Sequence, residues 1–281
     1  MRRRTVLRGL GGTLAIAVTG CVPPPARESA PTGPGLARVL QRIEARATVD
    51  GQGATLSRLF PSPALRHLDP FVLLDDFDVR KPAGFPEHPH RGFEAFTYMI
   101  EGEFHHRDSL GNDSVIGPGG TQRFTSGRGA RHSEMPVGEG SNRGLQLWVN
   151  LPRRLKKIAP SYAGTEGAAI PDRPASEGLI GRVREVVGAS SPVELQTEVE
   201  YLDLDLLADA RFTHVVPEGH NALVYVLEGR VLLLGETLTR GQALLPSAGR
   251  IELVAEAKSR ALWLSGRPHG EPIRQRGPFV D

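Results

Sequence analysis

Phe96-Thr97-Tyr98-Met99-Ile100-Glu101-Gly102-Glu103-Phe104 decides the fold, because the chain carries this pattern twice. Leu223-Val224-Tyr225-Val226-Leu227-Glu228-Gly229-Arg230-Val231 repeats the apolar, β-prone run, the tyrosine and the closing Glu-Gly, 127 positions later. A second pair, Gly119 and Gly241, opens residues 121–127 and 243–249 at a spacing of 122, so the second copy is five residues shorter between its strands. Self-similarity at this spacing means two copies of one domain. Each copy reads as short strands joined by turns such as Ser109-Leu110-Gly111-Asn112-Asp113 and Gly117-Pro118-Gly119-Gly120. That spacing predicts an antiparallel sandwich or barrel with few short helices. Residues 36–47 read as a helix, and residues 201–206, alternating Leu and Asp, as a strand. The copies divide in the turn-rich region 163–176, giving domains at 39–165 and 166–281.

Composition agrees. The 281 residues suffice for one large or two ordinary domains, and 33 Gly with 23 Pro favour a turn-rich, β-heavy fold. No apolar run reaches 18 residues, so no ordinary membrane span is expected. The net charge of +2 misleads: Arg2, Arg3, Arg4 and Arg8 lie in a head without acids, and the remaining 30 basic residues face 32 acidic ones. The body has no basic excess to offer nucleic acid, and no nucleic-acid partner is expected. Arg153-Arg154 and Lys156-Lys157 form a small basic run, read as a solvated surface loop.

The head itself reads as an address. Arg3-Arg4-Thr5-Val6-Leu7-Arg8, a short apolar middle and Val18-Thr19-Gly20-Cys21 describe an export signal over residues 1–20. The paired arginines resemble a twin-arginine signal, and Val-Thr-Gly-Cys resembles a bacterial lipobox. Cys21, the one cysteine, falls where the lipobox needs it and is the expected lipidation site. Residues 21–38, with Pro23, Pro24, Pro25, Pro31 and Pro34, read as an extended tether. The expectation is a monomer held by a lipid at the extracytoplasmic side of a bacterial membrane, in the periplasm if the cell has one. The twin-arginine route carries folded proteins, so a metal would be loaded before export.

Five of the nine histidines lie between positions 88 and 132. His88-Pro89-His90 and His132-Ser133-Glu134 each place two metal-capable groups on one face of a strand. Pro89 keeps His88 out of helical geometry. Either pattern alone is an ordinary pair of surface or satisfied core residues. Two in one barrel converge on a site of three imidazoles and a carboxylate, suited to one divalent Fe, Ni, Cu, Mn or Zn. The repeat supplies a control. At its spacings His88 maps to Val215, His90 to Pro217, His132 to Val254 and Glu134 to Glu256, with His214 one position from the first. The second copy keeps the scaffold without the site.

At these residues the chain resembles a known family. His88-Pro-His-Arg-Gly-Phe-Glu94, Thr97-Tyr-Met-Ile-Glu-Gly102, His106-Arg-Asp-Ser-Leu-Gly111 and Gly127-Arg-Gly-Ala-Arg-His-Ser-Glu-Met-Pro136 are similar to pirins. So are Leu68-Asp-Pro-Phe-Val-Leu-Leu-Asp-Asp-Phe77, Leu147-Trp-Val-Asn-Leu-Pro152 and Gly277-Pro-Phe-Val280. The resemblance runs from about residue 40 onward. It implies an all-β bicupin, two antiparallel jelly-roll barrels, with iron first among the metals, held in the first barrel by His88, His90, His132 and Glu134. Glu94, where many cupins keep a ligating glutamate, is expected behind the ligands on the same face. The chain departs from the family at Gln122-Arg123-Phe124, where pirins often have Gln-Trp-Met. The implied activity is a quercetin 2,3-dioxygenase-like oxidation of a small aromatic substrate beside Phe85 and Phe93, with Glu134 as general base. The alternative is a non-enzymatic, iron-binding redox-sensing or ligand-binding lipoprotein, for which a sealed metal would speak and an open apolar pocket would not.

Overall fold

The computed structural model describes residues 34–173 and 181–281; Cys21 and the head of the chain lie outside them. They form two β-barrels. In the first, a seven-stranded sheet runs in the order Ser161–Thr165, Thr121–Thr125, Phe93–Glu101, Asn142–Asn150, Phe71–Val79, Ala54–Phe60 and Arg46–Asp50. A four-stranded sheet of Phe85–His90, Ala130–Pro136, Phe104–Asp108 and Asp113–Ile116 closes over it. The second barrel repeats the plan with a six-stranded sheet and the four strands Arg211–Val216, Gly249–Ala255, Arg230–Leu233 and Glu236–Thr239. The two sequence repeats, in Phe93–Glu101 and Asn221–Glu228, are corresponding strands of the large sheets. Residues 201–206 fall in the strand Val199–Leu206 as expected.

Residues 36–47 do not form the expected helix. They fall largely in the strands Val39–Glu44 and Arg46–Asp50. The first pairs antiparallel with Gln242–Pro246 at the edge of the second barrel's sheet, and Ile43 enters the core. Pairing with a distant edge overrides local propensity. The domain boundary at 39 is corrected with it: Val39–Glu44 completes the second barrel's sheet before the chain enters the first.

Alternation along the strands sorts the core. Phe96, Tyr98, Leu145 and Leu147 from the first large sheet meet Tyr201, Leu223, Tyr225 and Leu262 from the second in one cluster. The alternate residues Leu202, Val224, Val226 and Trp263 fill the second barrel together with Ile251 and Leu253. The first barrel differs. Its interior divides into one cluster around Phe77, Met99 and Phe104 and another around Phe93, Ala95 and Phe124. Buried Thr97, His106, Gln122, His132 and Glu134 add polar groups to this interior. Burying so many polar groups costs stability unless something satisfies them.

Candidate metal centre

The strand Phe85–His90 carries Pro86 and Pro89, which a sheet accepts only at an edge, and this strand is the edge of its sheet. His88 and His90, two apart, share a face. Its neighbour Ala130–Pro136 pairs His132 with His88. Between His132 and Glu134 the register then shifts, so that Glu134 stands opposite Phe85.

The three histidines converge. A ring nitrogen from each of His88, His90 and His132 lies within 4.8 Å of the others. Nδ1 of His88 lies 2.8 Å from the Pro86 carbonyl and Nδ1 of His90 lies 3.3 Å from the Pro278 carbonyl. A carbonyl only accepts, so each Nδ1 carries the hydrogen and each Nε2 keeps a bare lone pair. Those two Nε2 atoms face each other at 3.0 Å. Two lone pairs at that distance repel unless a cation lies between or beside them. His132 is buried, its ring stacked 4.4 Å from Phe124, and neither of its nitrogens has a partner among the described residues. Burial, with His88 beside it, pushes His90 down to about 3. Burial, with the neighbouring histidines, holds His132 well below the usual imidazole range. Neutral, nitrogen-bare imidazoles are the form that binds metal, so these residues fit a divalent ion.

Glu134 lies beside this group and outside it. Its Oε1 accepts from the Thr97 hydroxyl at 2.7 Å and its Oε2 from the Gln146 amide at 2.9 Å. The expectation for Glu94 is corrected. Gly92, at φ +86°, breaks the alternation carried from His88 and His90, and Glu94 turns to the face that meets the second barrel. There its carboxylate accepts from the Thr125 hydroxyl and the Gln196 backbone N–H at 2.8 Å each. Burial raises its pKa despite both bonds.

A cavity of about 700 Å³ reaches His88, His90 and Glu134. Leu56, Leu73, Phe77, Phe85 and Trp148 give it apolar walls. Phe85 lines it as expected; Phe93 lies beneath, stacked 4.1 Å from Trp148. On the polar side Arg58 donates twice to Asp75 and once to Asp50, each at 2.8 Å. Burial raises Asp75, whereas in Asp50 burial is outweighed by the Arg58 contact together with the Gly51 backbone N–H and the nearby His88, and the pKa is lowered. Sequence reasoning missed Arg58, Asp50, Trp148, Thr97, Gln146 and Pro278 as site residues. Trp148 and Thr97 stood in the quoted motifs; Arg58 and Asp50 carried no local signal.

Register also corrects the repeat mapping. Arg211–Val216 pairs with Gly249–Ala255 as Phe85–His90 pairs with Ala130–Pro136, with His214 opposite Ile251 and Val216 opposite Gly249. The burial patterns of the two partner strands are the same. His88 therefore corresponds to His214, His90 to Val216, His132 to Ile251 and Glu134 to Leu253. The surviving His214 binds Glu200 at 2.7 Å, which also accepts from the Trp263 indole at 2.8 Å. Apolar side chains stand at the other three places.

Comparison with known proteins agrees with this architecture. The Pirin family model matches residues 53–149, and the Pirin C-terminal cupin domain matches residues 201–281. A Pseudomonas aeruginosa protein provisionally named quercetin 2,3-dioxygenase is 40% identical over 260 residues, spanning 86% of this chain and 90% of the relative. A pirin-like protein of Caulobacter vibrioides is 40% identical over 254 residues, spanning 86% and 91%. Among solved structures, a quercetin 2,3-dioxygenase from Acinetobacter baumannii superposes with a TM-score of 0.81 at 32% identity, over 88% of this chain and 92% of that one.

Proposed function

Because the chain belongs to the pirin family, we propose that it is a metal-dependent dioxygenase acting on flavonol-like aromatic compounds at His88, His90 and His132. The observation that carries this reading is the pair of bare Nε2 atoms 3.0 Å apart, next to an unpartnered His132 and under an apolar-walled cavity of about 700 Å³. That volume suits a small aromatic ligand. A divalent ion held by the three imidazoles supplies a Lewis acid that lowers the pKa of a bound hydroxyl. The Pro86 and Pro278 carbonyls aim the imidazoles. Trp148, Phe85 and Leu73 flank an aromatic ring and keep water from it. Glu134 accepts the substrate hydroxyl proton, while Thr97 and Gln146 hold its carboxylate beside the histidines. Each oxygen accepts one hydrogen bond and keeps a further lone-pair site, so the same carboxylate can take a proton while Thr97 and Gln146 hold it. Iron is the metal this reading favours, with nickel, copper, manganese and zinc as competitors.

The test is anaerobic loading with Fe(II), Ni(II), Cu(II) or Mn(II), then admission of O2 while flavonol absorbance and O2 uptake are followed. Loss of the flavonol band matched by O2 consumption supports the reading; no turnover with any metal overturns it. A non-enzymatic metal-binding role finds support in the engagement of both Glu134 oxygens. The cavity reaching the histidines favours catalysis over a sealed sensor.

A further inference from the structure

Residues 275–281 leave the second barrel and finish on the first. They fold as a hairpin of Gln275–Arg276 and Phe279–Val280. The Val280 amide donates to the Arg91 carbonyl at 2.9 Å, next to the metal-binding His90. The Arg91 guanidinium holds the Asp281 carboxylate at 3.0 to 3.1 Å and lies 4.8 Å over the Phe279 ring. Val280 is fully buried in the Phe93 and Phe124 cluster.

Lys156 closes the hairpin down. The basic run expected as a solvated loop is solvated at Arg153, Arg154 and Lys157, and Lys156 turns inward. Its Nζ donates to the Val280 carbonyl at 3.0 Å, the Gly92 carbonyl at 2.9 Å and Asn150 Oδ1 at 2.6 Å. Three oxygens saturate an ammonium. Burial pushes Lys156 down to about 8, against the pull of Asp281 and Glu271, and it keeps its proton at neutral pH. Gly92 allows the approach: a Cβ there would lie 1.9 Å from the Val280 carbonyl oxygen. The result is that the Pro278 carbonyl sits on His90 Nδ1, and Gln275, Gly277 and Pro278 wall the cavity.

We propose that the 275–281 hairpin, stapled by Lys156 and Arg91, is a positioning element of the metal centre: it fixes the tautomer and orientation of His90 from a carbonyl 188 positions away. The inference rests on the metal reading above. A ligating imidazole needs an acceptor on its other nitrogen, and losing that acceptor typically weakens metal binding about 10- to 100-fold. With the staple gone, the His90 ring is free to turn and to present the wrong nitrogen. Lys156 and Arg91 are thus positioning residues that act through the hairpin.

The experiment compares wild type, the double variant R91A/K156M, a chain ending after Gly277, and K157M as a charge control in the same loop. Co(II) affinity is measured by competition with a chromogenic chelator, the Co(II) visible absorption spectrum is recorded, and the metal-free melting temperature is followed. The expected result is about tenfold weaker Co(II) binding and an altered spectrum in R91A/K156M and in the shortened chain, with K157M like wild type. Unchanged affinity and spectrum in R91A/K156M overturn the inference, whatever its melting temperature; if the shortened chain does not fold, the double variant alone decides. A wild type that binds no Co(II) overturns the metal reading itself, which separates the two failures.

Discussion

His132 states the site's logic at the scale of one residue. Both of its ring nitrogens are buried without a partner among the described residues, and an unsatisfied buried polar group costs about 1–3 kcal/mol. A fold that carries such a residue for stability alone would be better served by leucine. His132→Leu is therefore expected to leave the metal-free protein at least as stable as wild type in urea unfolding, while abolishing metal uptake measured by elemental analysis. A metal-free variant that is less stable yet still binds metal would contradict this. Glu134 differs, since both carboxylate oxygens are occupied. Glu134→Gln is expected to retain most metal while flavonol turnover falls at least about 100-fold, the scale of general-base loss. Of these residues the pair His88/His90 and the pair His132/Glu134 were legible in the sequence, because a spacing of two is readable wherever a strand is. Glu94 was misread because Gly92 changes the face between it and His90.

The elements that matter most are those that cross between barrels. Val39–Glu44 closes the second sheet, with Ile43 almost fully buried. Ile43→Ala is expected to cost about 2–4 kcal/mol in urea unfolding, a core-sized loss from a segment the sequence reads as a helix. The strand Phe71–Val79 shows the two faces of one element. Leu73, Asp75 and Phe77 line the cavity, and Asp76 looks toward Tyr225 of the second barrel, 3.4 Å away. Burial lifts Asp76 to about 6, outweighing Arg143 and Arg240. Its folded pKa lies above its ordinary value of 3.8, so the folded state holds the proton more tightly. The resulting stability is present below about pH 4 and is lost as pH rises toward 6. Asp76→Asn is expected to flatten that slope and to gain up to about 3 kcal/mol at pH 7, read by denaturant unfolding across pH 4–7. An unchanged pH profile would refute the assignment.

For the whole molecule, the asymmetry of the barrels is the functional statement. One interior is a largely apolar core beside the His214–Glu200 pair; the other holds buried polar groups beside a cavity. Metal that binds only the folded state stabilises it by about 2.7 kcal/mol at a hundred times its Kd, so the melting temperature is expected to rise with added metal and to return with chelator. At the other end of the chain, the lipobox reading predicts that Cys21→Ala moves the protein from the membrane to the soluble fraction on cell fractionation; persistence at the membrane would defeat it.

The two-copy plan, the β class and the pairs His88/His90 and His132/Glu134 were legible along the chain, because repeats, strand periods and i, i+2 spacing are local patterns. Only long-range packing reveals that Val39–Glu44 belongs to the second barrel, that His214 is the counterpart of His88, that the Lys156 ammonium turns inward, and that the Pro278 carbonyl meets His90 Nδ1. Each of these depends on which distant edge a strand or tail meets. That choice is made by the packing of faces in three dimensions, where one residue of register decides whether a side chain meets the core, the cavity or the solvent.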